Sequence, residues 1–152
     1  MHSHTPDHYA CPFCRILNSK EEHEAEVIYQ NRYAYVCLPL EHRPTAGPPV
    51  MVIPKIHTES IYTIDEQHLS EVILLAKRVA MVMKKLWQLD GITLLQNNEP
   101  AGGQDVWHFH LHVKGRRSND NFYNTAWVRI PAEQRAQWIE QLRSAMHTTY
   151  PL

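Results

Sequence analysis

The chain has 152 residues, 43% of them apolar and 20% charged, with a formal net charge of −1. A chain of this size closes one hydrophobic core, and the ordinary composition excludes collagen-like repetition and wholesale disorder. A pI of about 6.8 gives no basic field for a nucleic-acid polymer or an anionic membrane, but leaves room for a small phosphate ligand.

Residues 1–9 are polar and carry His2, His4 and His8. They have no apolar core of a secretory signal, and no run in the chain approaches the ~18 apolar residues of a membrane span. The expected location is cytoplasmic. Residues 1–10 are expected to form a disordered tail, since three spaced histidines there have nothing to fix a metal geometry. Cys11 and Cys14 form a Cys-x-x-Cys pair, which in a reducing compartment suits a metal clamp or redox site better than a disulfide. Residues 12–19 read as a short helical turn. Residues 26–30 and 33–38 are rich in β-branched and aromatic side chains around Asn31-Arg32, the pattern of a hairpin in which Cys37 is a buried thiol. Residues 39–49 hold four prolines and Gly47 and read as a loop, because proline lacks the donor that a ladder needs. Residues 50–53 then form a buried strand stopped by Pro54.

Thr63 and Glu66 have the spacing of a capping box. Leu69, Val72, Ile73, Ala76, Val79, Ala80, Met83, Leu86 and Trp87 follow at helical spacing, and Asp90-Gly91 ends the helix. Residues 92–96 and 106–114 read as strands, separated by a turn at 97–104 with Pro100, Gly102 and Gly103. Pro131 suits the first position of a closing helix striped by Ile139, Leu142 and Met146. Short connections favour antiparallel pairing. The expected class is α+β, with an antiparallel sheet of about five strands and helices packed on one face.

The chemistry concentrates in Trp107-His108-Phe109-His110-Leu111-His112-Val113. On a strand, alternate residues share a face. His108, His110 and His112 then point one way, about 6.5–7 Å apart, while Phe109, Leu111 and Val113 enter the core. A solvated face rarely alternates three imidazoles with three bulky apolar groups. The turn before this segment, Asn97-Asn98-Glu99-Pro100-Ala101-Gly102-Gly103-Gln104, brings backbone amides and the Asn97 and Gln104 amides within reach of an anion. Cys11 and Cys14 need two more ligands for a tetrahedral zinc, and His57 and His108 are the candidates. A redox pair and two free thiols remain the competing readings.

These residues resemble the histidine-triad (HIT) superfamily, whose signature alternates three histidines with apolar residues. His108-Phe109-His110-Leu111-His112-Val113 fits it, although Lys114 stands where a further apolar residue is usual. Cys11-Pro12-Phe13-Cys14-Arg15-Ile16 resembles the N-terminal clamp of bacterial members. Val52-Ile53-Pro54-Lys55-Ile56-His57 resembles the strand and turn before the long helix. Asn97 and Gly102-Gly103-Gln104-Asp105-Val106 resemble the phosphate loop. The likeness runs over roughly residues 11–116, within an expected domain at 11–148.

The resemblance implies a single-domain HIT-like fold and a homodimer. It makes His110 the nucleophile and His112 a phosphate contact. Asn97, Gly103, Gln104 and Asp105 become substrate-binding positions, and Cys11, Cys14, His57 and His108 ligands of a structural zinc. The implied substrates are nucleoside phosphoramidates, dinucleoside polyphosphates or other adenylylated compounds. Two departures stand out. Pro48-Pro49-Val50 occupies the place of Gly-His-Thr, so a histidine is missing, and Asp105 replaces a usual Ser or Thr. The family's ribose-binding acid falls at Leu38 or Glu41, according to the end from which the proline-rich loop is counted.

A neutral imidazole with an intrinsic pKa near ~6.5 is a competent nucleophile at neutral pH. The expected route is attack of His110 on the α-phosphorus, a covalent nucleotidyl-histidine, and release of a nucleoside monophosphate by water. Two other readings stay open: a phosphohydrolase whose three histidines bind a catalytic zinc, and an inactive nucleotide-binding adaptor.

Overall fold

The computed structural model describes residues 2–151. The chain order is α1 (Pro12–Asn18), α2 (Lys20–Glu26), β1 (Tyr29–Gln30), β2 (Ala34–Cys37), β3 (Glu41–His42), β4 (Pro49–Pro54), α3 (Glu66–Leu86), β5 (Gly91–Gln96), β6 (Leu111–Arg116), β7 (Val128–Arg129) and α4 (Ala132–Thr149). Five strands form one sheet in the order β1-β2-β4-β6-β5, and β3 pairs with β7 in a separate ribbon. All pairings are antiparallel. This is the expected α+β architecture.

The strand period of two sorts side chains between two cores. Val36, Val50, Val52, Phe109, Leu111 and Val113 join Val72, Leu75, Ala76, Val79 and Met83 of α3 and Leu142 and Met146 of α4. Tyr35, Cys37, Met51 and Ile53 point the other way and pack with Cys11 and Phe13. Thus α3 and α4 cover one face, and the short α1 seals part of the other. The functional side chains lie on that second face.

Several local expectations shift. Residues 20–26 form α2, because the Ser19 hydroxyl accepts from the Glu22 amide at 3.3 Å and starts a new helix. The hairpin's first strand therefore shrinks to Tyr29–Gln30. The long helix is capped by Asp65, whose carboxylate accepts from the His68 amide at 2.9 Å. Thr63 instead bonds Thr58 at 2.9 Å, so the capping box does not form. Leu75 and Val82 are buried in α3, whereas Ile73 is 46% exposed. The proline-rich segment contains β3, and Pro49 opens β4, the strand position that tolerates proline. Pro131 is the N-cap of α4 rather than its first residue. Among the described residues, no helix is long and apolar enough to cross a membrane.

The triad strand starts later than its alternation suggests. Ladder pairing begins at Leu111. Before it, the Phe109 amide donates to the Thr58 carbonyl at 2.6 Å and the His108 amide to the Val106 carbonyl at 2.8 Å. The loop before α3 thus replaces a neighbouring strand, yet Phe109, Leu111 and Val113 still enter the core as the alternation requires.

Candidate active site

His108 is fully buried. Its Nε2 lies 3.0 Å from the Pro54 carbonyl, so that nitrogen carries the proton and donates. The lone pair is left on Nδ1, which faces Cys11 Sγ at 3.3 Å and Cys14 Sγ at 3.6 Å. His57 Nδ1 lies 3.4 Å from Cys14 Sγ. The ligand atoms of Cys11, Cys14, His57 and His108 all fall within 4.8 Å of one another. Zinc bonds of about 2.0–2.3 Å place tetrahedral ligands roughly 3.3–3.8 Å apart, so small inward shifts would close four ligands on one ion. Burial and the neighbouring Cys11 push the Cys14 thiol up to about 11; a cation would reverse that by favouring the thiolate. The donor chemistry therefore fits zinc. Burial pushes His108 down to about 4, with His57 and His110 adding to it and the Pro54 bond opposing, which keeps the ring neutral as a ligand must be.

Two residues on, the arrangement reverses. His110 Nδ1 lies 2.7 Å from the His108 carbonyl and donates to it. Nε2 is left with the free lone pair. The residue is 3% exposed, and its ring meets Phe13 of α1 edge-on at a centroid distance of 5.2 Å. Burial lowers the His110 pKa, against the His108 bond and the nearby Asp105 charge. His112 packs edge-on against His110 at 5.0 Å, and burial first, then His110 and Lys114, hold it down at about 3. The face thus carries two neutral imidazoles side by side. Among the described residues, Cys11, Cys14, His57 and His108 make up the cluster of close metal-capable groups, and His110 and His112 stand outside it. Three histidines converging on one ion is not the geometry observed.

The glycine-rich loop is tightly pinned. Gly103 has φ +83°, a conformation that favours glycine, and Glu99 has φ +61° with ψ 164°. Gln104 is buried. Its Oε1 accepts from the Glu99 amide at 2.9 Å, and its Nε2 donates to the carbonyls of Glu59 at 2.7 Å and Val106 at 3.0 Å. Asn97 donates to the Gly103 carbonyl at 3.2 Å. Both amides therefore brace the loop backbone. The two positions considered for a ribose-binding acid separate: Leu38 lies in the main core, and Glu41 is exposed on β3.

Residues 2–10 form no helix or strand, but they are tethered. The His4 amide donates to Glu59 at 2.8 Å, Thr5 Oγ1 donates to the same carboxylate at 2.7 Å, and His4 stacks on Trp107 at 5.7 Å. Polar composition gave no sign of these contacts. The carbonyls of Pro54 and His108, which assign the two imidazoles, were equally hidden, because every residue has a carbonyl.

Comparison with known proteins agrees with this geometry. The HIT domain matches residues 20–119. Adenosine 5′-monophosphoramidase of Saccharomyces cerevisiae is 32% identical over 125 residues, covering 82% of this chain and 72% of that protein. A HIT-like protein of Methanocaldococcus jannaschii is 32% identical over 110 residues, 72% of this chain and 81% of its own length. A zinc-bound histidine triad family protein of Mycobacterium smegmatis superposes with a TM-score of 0.74 at 26% identity, over 92% of this chain and 95% of that one. The chain belongs to the histidine-triad (HIT) family.

Proposed function

We propose that the protein is a nucleotide hydrolase or transferase that attacks the α-phosphate of an adenylylated substrate through His110. The observation that carries this reading is the 2.7 Å bond from His110 Nδ1 to the His108 carbonyl, which leaves Nε2 as a lone pair on the face shared with His112. Attack by Nε2 forms an N–P bond. The bond from phosphorus to the leaving group breaks, and the leaving group departs with its electron pair and takes up a proton. Water then adds at phosphorus, gives up a proton, and displaces His110, releasing the nucleoside monophosphate. His112 and the loop amides around Gly103 stabilise the equatorial oxygens. Gln104 and Asn97 hold that loop in place, and Asp105 lies beside the leaving-group side. Adenosine is the favoured nucleoside, by similarity to the yeast phosphoramidase.

Cys11, Cys14, His57 and His108 hold a zinc whose role is structural: four protein ligands leave no position for water. The metal ties the N-terminal segment and α1 to the loop after β4, and so keeps Phe13 against His110.

The working form is a homodimer. The edge strand β5 exposes Leu94 (45%) and Leu95 (39%), and α3 exposes Ile73, Leu74 (50%) and Met81 (58%). An open edge with apolar neighbours is a pairing surface. Light scattering at micromolar concentration should give twice the 17.8 kDa chain mass; a monomer mass refutes the dimer.

The test of function is incubation with adenosine 5′-phosphoramidate and with dinucleoside polyphosphates, following release of AMP. Turnover of at least one of them is expected. Binding without any release would favour an adaptor.

A further inference from the structure

Past the triad, β6 continues on the same face to Lys114, since Leu111 and Val113 both enter the main core. Lys114 is 6% exposed, yet among the described residues its amine makes no hydrogen bond and no ion pair. The neighbouring residues explain why. Lys114 pairs with Pro49 of β4, whose side chain has no acceptor, and with Thr93 of β5. The Thr93 hydroxyl already accepts from Arg116 at 3.1 Å. The acid of this region, Asp120, is filled. Arg116 holds it at two points, at 2.7 and 2.8 Å, and the Arg117 and Phe122 amides donate to it at 3.2 and 3.1 Å.

The surroundings of Lys114 are instead aromatic and cationic. Its amine lies 5.3 Å from the ring centroid of Phe122 and 5.2 Å from that of Trp127. The Arg43 guanidinium lies 4.9 and 4.5 Å from the same two rings, and that of Arg116 lies 4.4 Å from Phe122. Ring faces attract cations, but here three basic side chains share two rings and one carboxylate. Arg43 donates to the Thr125 carbonyl, while its Nε is buried with no partner. Burial first, then Arg43 and Arg116, lower the Lys114 pKa, since each penalises the charged form. The side chain is thereby pushed towards a neutral amine, which carries a nucleophilic lone pair.

A neutral Lys114 still leaves Arg43 without an anion. Carbon dioxide is the small electrophile that would supply one, because it turns an amine into a carbamate with a negative charge and two acceptor oxygens. The region would then hold two cations, Arg43 and Arg116, and two anions, Asp120 and the carbamate. The fold leaves a way in. The β3–β7 ribbon registers His42 with Val128, which sets Arg43 and Trp127 at its end, and Trp127 is 46% exposed.

We propose that Lys114 is a carboxylation site, at which carbon dioxide adds to the side-chain amine and the resulting carbamate pairs with Arg43. The amine lone pair attacks the carbon of carbon dioxide, and an N–C bond forms. One C=O π pair moves onto oxygen, and the nitrogen releases one proton to solvent. Nothing is oxidised or reduced. The carbamate gives Arg43 Nε its acceptor and fastens β6 to the β3–β7 ribbon. Lys20, with its side chain 90% exposed, has no such pocket; an ordinary lysine is protonated at neutral pH and has no lone pair to offer.

The test places the wild-type protein, Arg43→Gln and Lys114→Met in carbon-13-labelled bicarbonate at mildly alkaline pH and records carbon NMR spectra. Triethyloxonium ion then traps carbamates as ethyl esters, and peptide mass spectrometry locates them. The wild type is expected to show a carbamate resonance and an ethoxycarbonyl gain on the peptide carrying Lys114, with at least tenfold the occupancy of Lys20. Arg43→Gln should lower the occupancy of Lys114 at least fivefold, and Lys114→Met should lose the resonance. No carbamate at Lys114 in the wild type, an occupancy equal to that of Lys20, or an occupancy unchanged in Arg43→Gln overturns the proposal. Should Lys114→Met fail to fold, the wild-type adduct and its response to Arg43→Gln decide without it.

Discussion

His108 and His110 lie two residues apart, both buried on the same face, yet they present opposite nitrogens. His108 gives Nε2–H to Pro54 and turns Nδ1 to the cysteines. His110 gives Nδ1–H to the His108 carbonyl and frees Nε2. The residue type is the same and the burial alike, so the difference lies in which backbone carbonyl each ring meets. A carbonyl acceptor selects the tautomer, and in the reading proposed above the tautomer separates a zinc ligand from a nucleophile.

The largest expected effect comes from removing the proposed nucleophile. His110→Asn keeps a polar side chain of similar reach but cannot form the N–P bond. Turnover should fall by roughly 10⁴-fold or more, beyond the 10²–10³ of one lost stabilising donor, with AMP affinity largely retained. Activity comparable with wild type would show that the two imidazoles have been assigned the wrong roles.

The other half of the pair should respond in stability. Cys11→Ser should lose zinc and lower the melting temperature by about 10 °C, several kcal/mol at roughly 2–4 °C each in a chain of this size. The fall in kcat should be far smaller than for His110→Asn. Elemental analysis and a thermal melt decide it; a metal-free wild-type protein with full stability contradicts the account.

Gln104 braces the loop at the back of the site. Gln104→Leu leaves the Glu99 amide and the Glu59 and Val106 carbonyls without their present partners. At about 1–3 kcal/mol per orphaned buried group, kcat/KM should drop roughly tenfold to a hundredfold and stability should fall with it. A large loss of activity at unchanged stability would instead mean that Gln104 touches the phosphate directly.

The smallest effect concerns pH. Arg116, with the Arg117 and Phe122 amides, holds the Asp120 carboxyl at about 2, below its ordinary value of 3.8. A depressed carboxylate stabilises the fold fully above its unfolded pKa, and that contribution is lost as pH falls from about 4 towards 2. Asp120→Asn should flatten the stability profile in that window. A profile as steep as wild type would place the acid sensitivity elsewhere.

Much of this was legible in the sequence where a period or a fixed spacing carries information. The alternation from Trp107 to Val113 identified the core side and the histidine side even though regular pairing starts only at Leu111. The Cys-x-x-Cys pair with His57 and His108 converged as the ligand chemistry suggested. Weak local signals were misread. Thr63 and Asp65 both offer caps to one helix, and only the three-dimensional turn selects Asp65. The β3–β7 pairing joins segments more than eighty residues apart, one of them disguised by prolines. That long-range pairing sets the Arg43 guanidinium 4.5 Å from the Trp127 ring, a contact that left no trace in either segment alone.

The central claim is the covalent role of His110, and rapid quenching of the wild-type protein during turnover of an adenylylated substrate tests it most directly. Mass spectrometry should find a gain equal to AMP on the peptide carrying His110, absent in His110→Asn. AMP released at full rate with no such adduct, or with the adduct on His112, would contradict it.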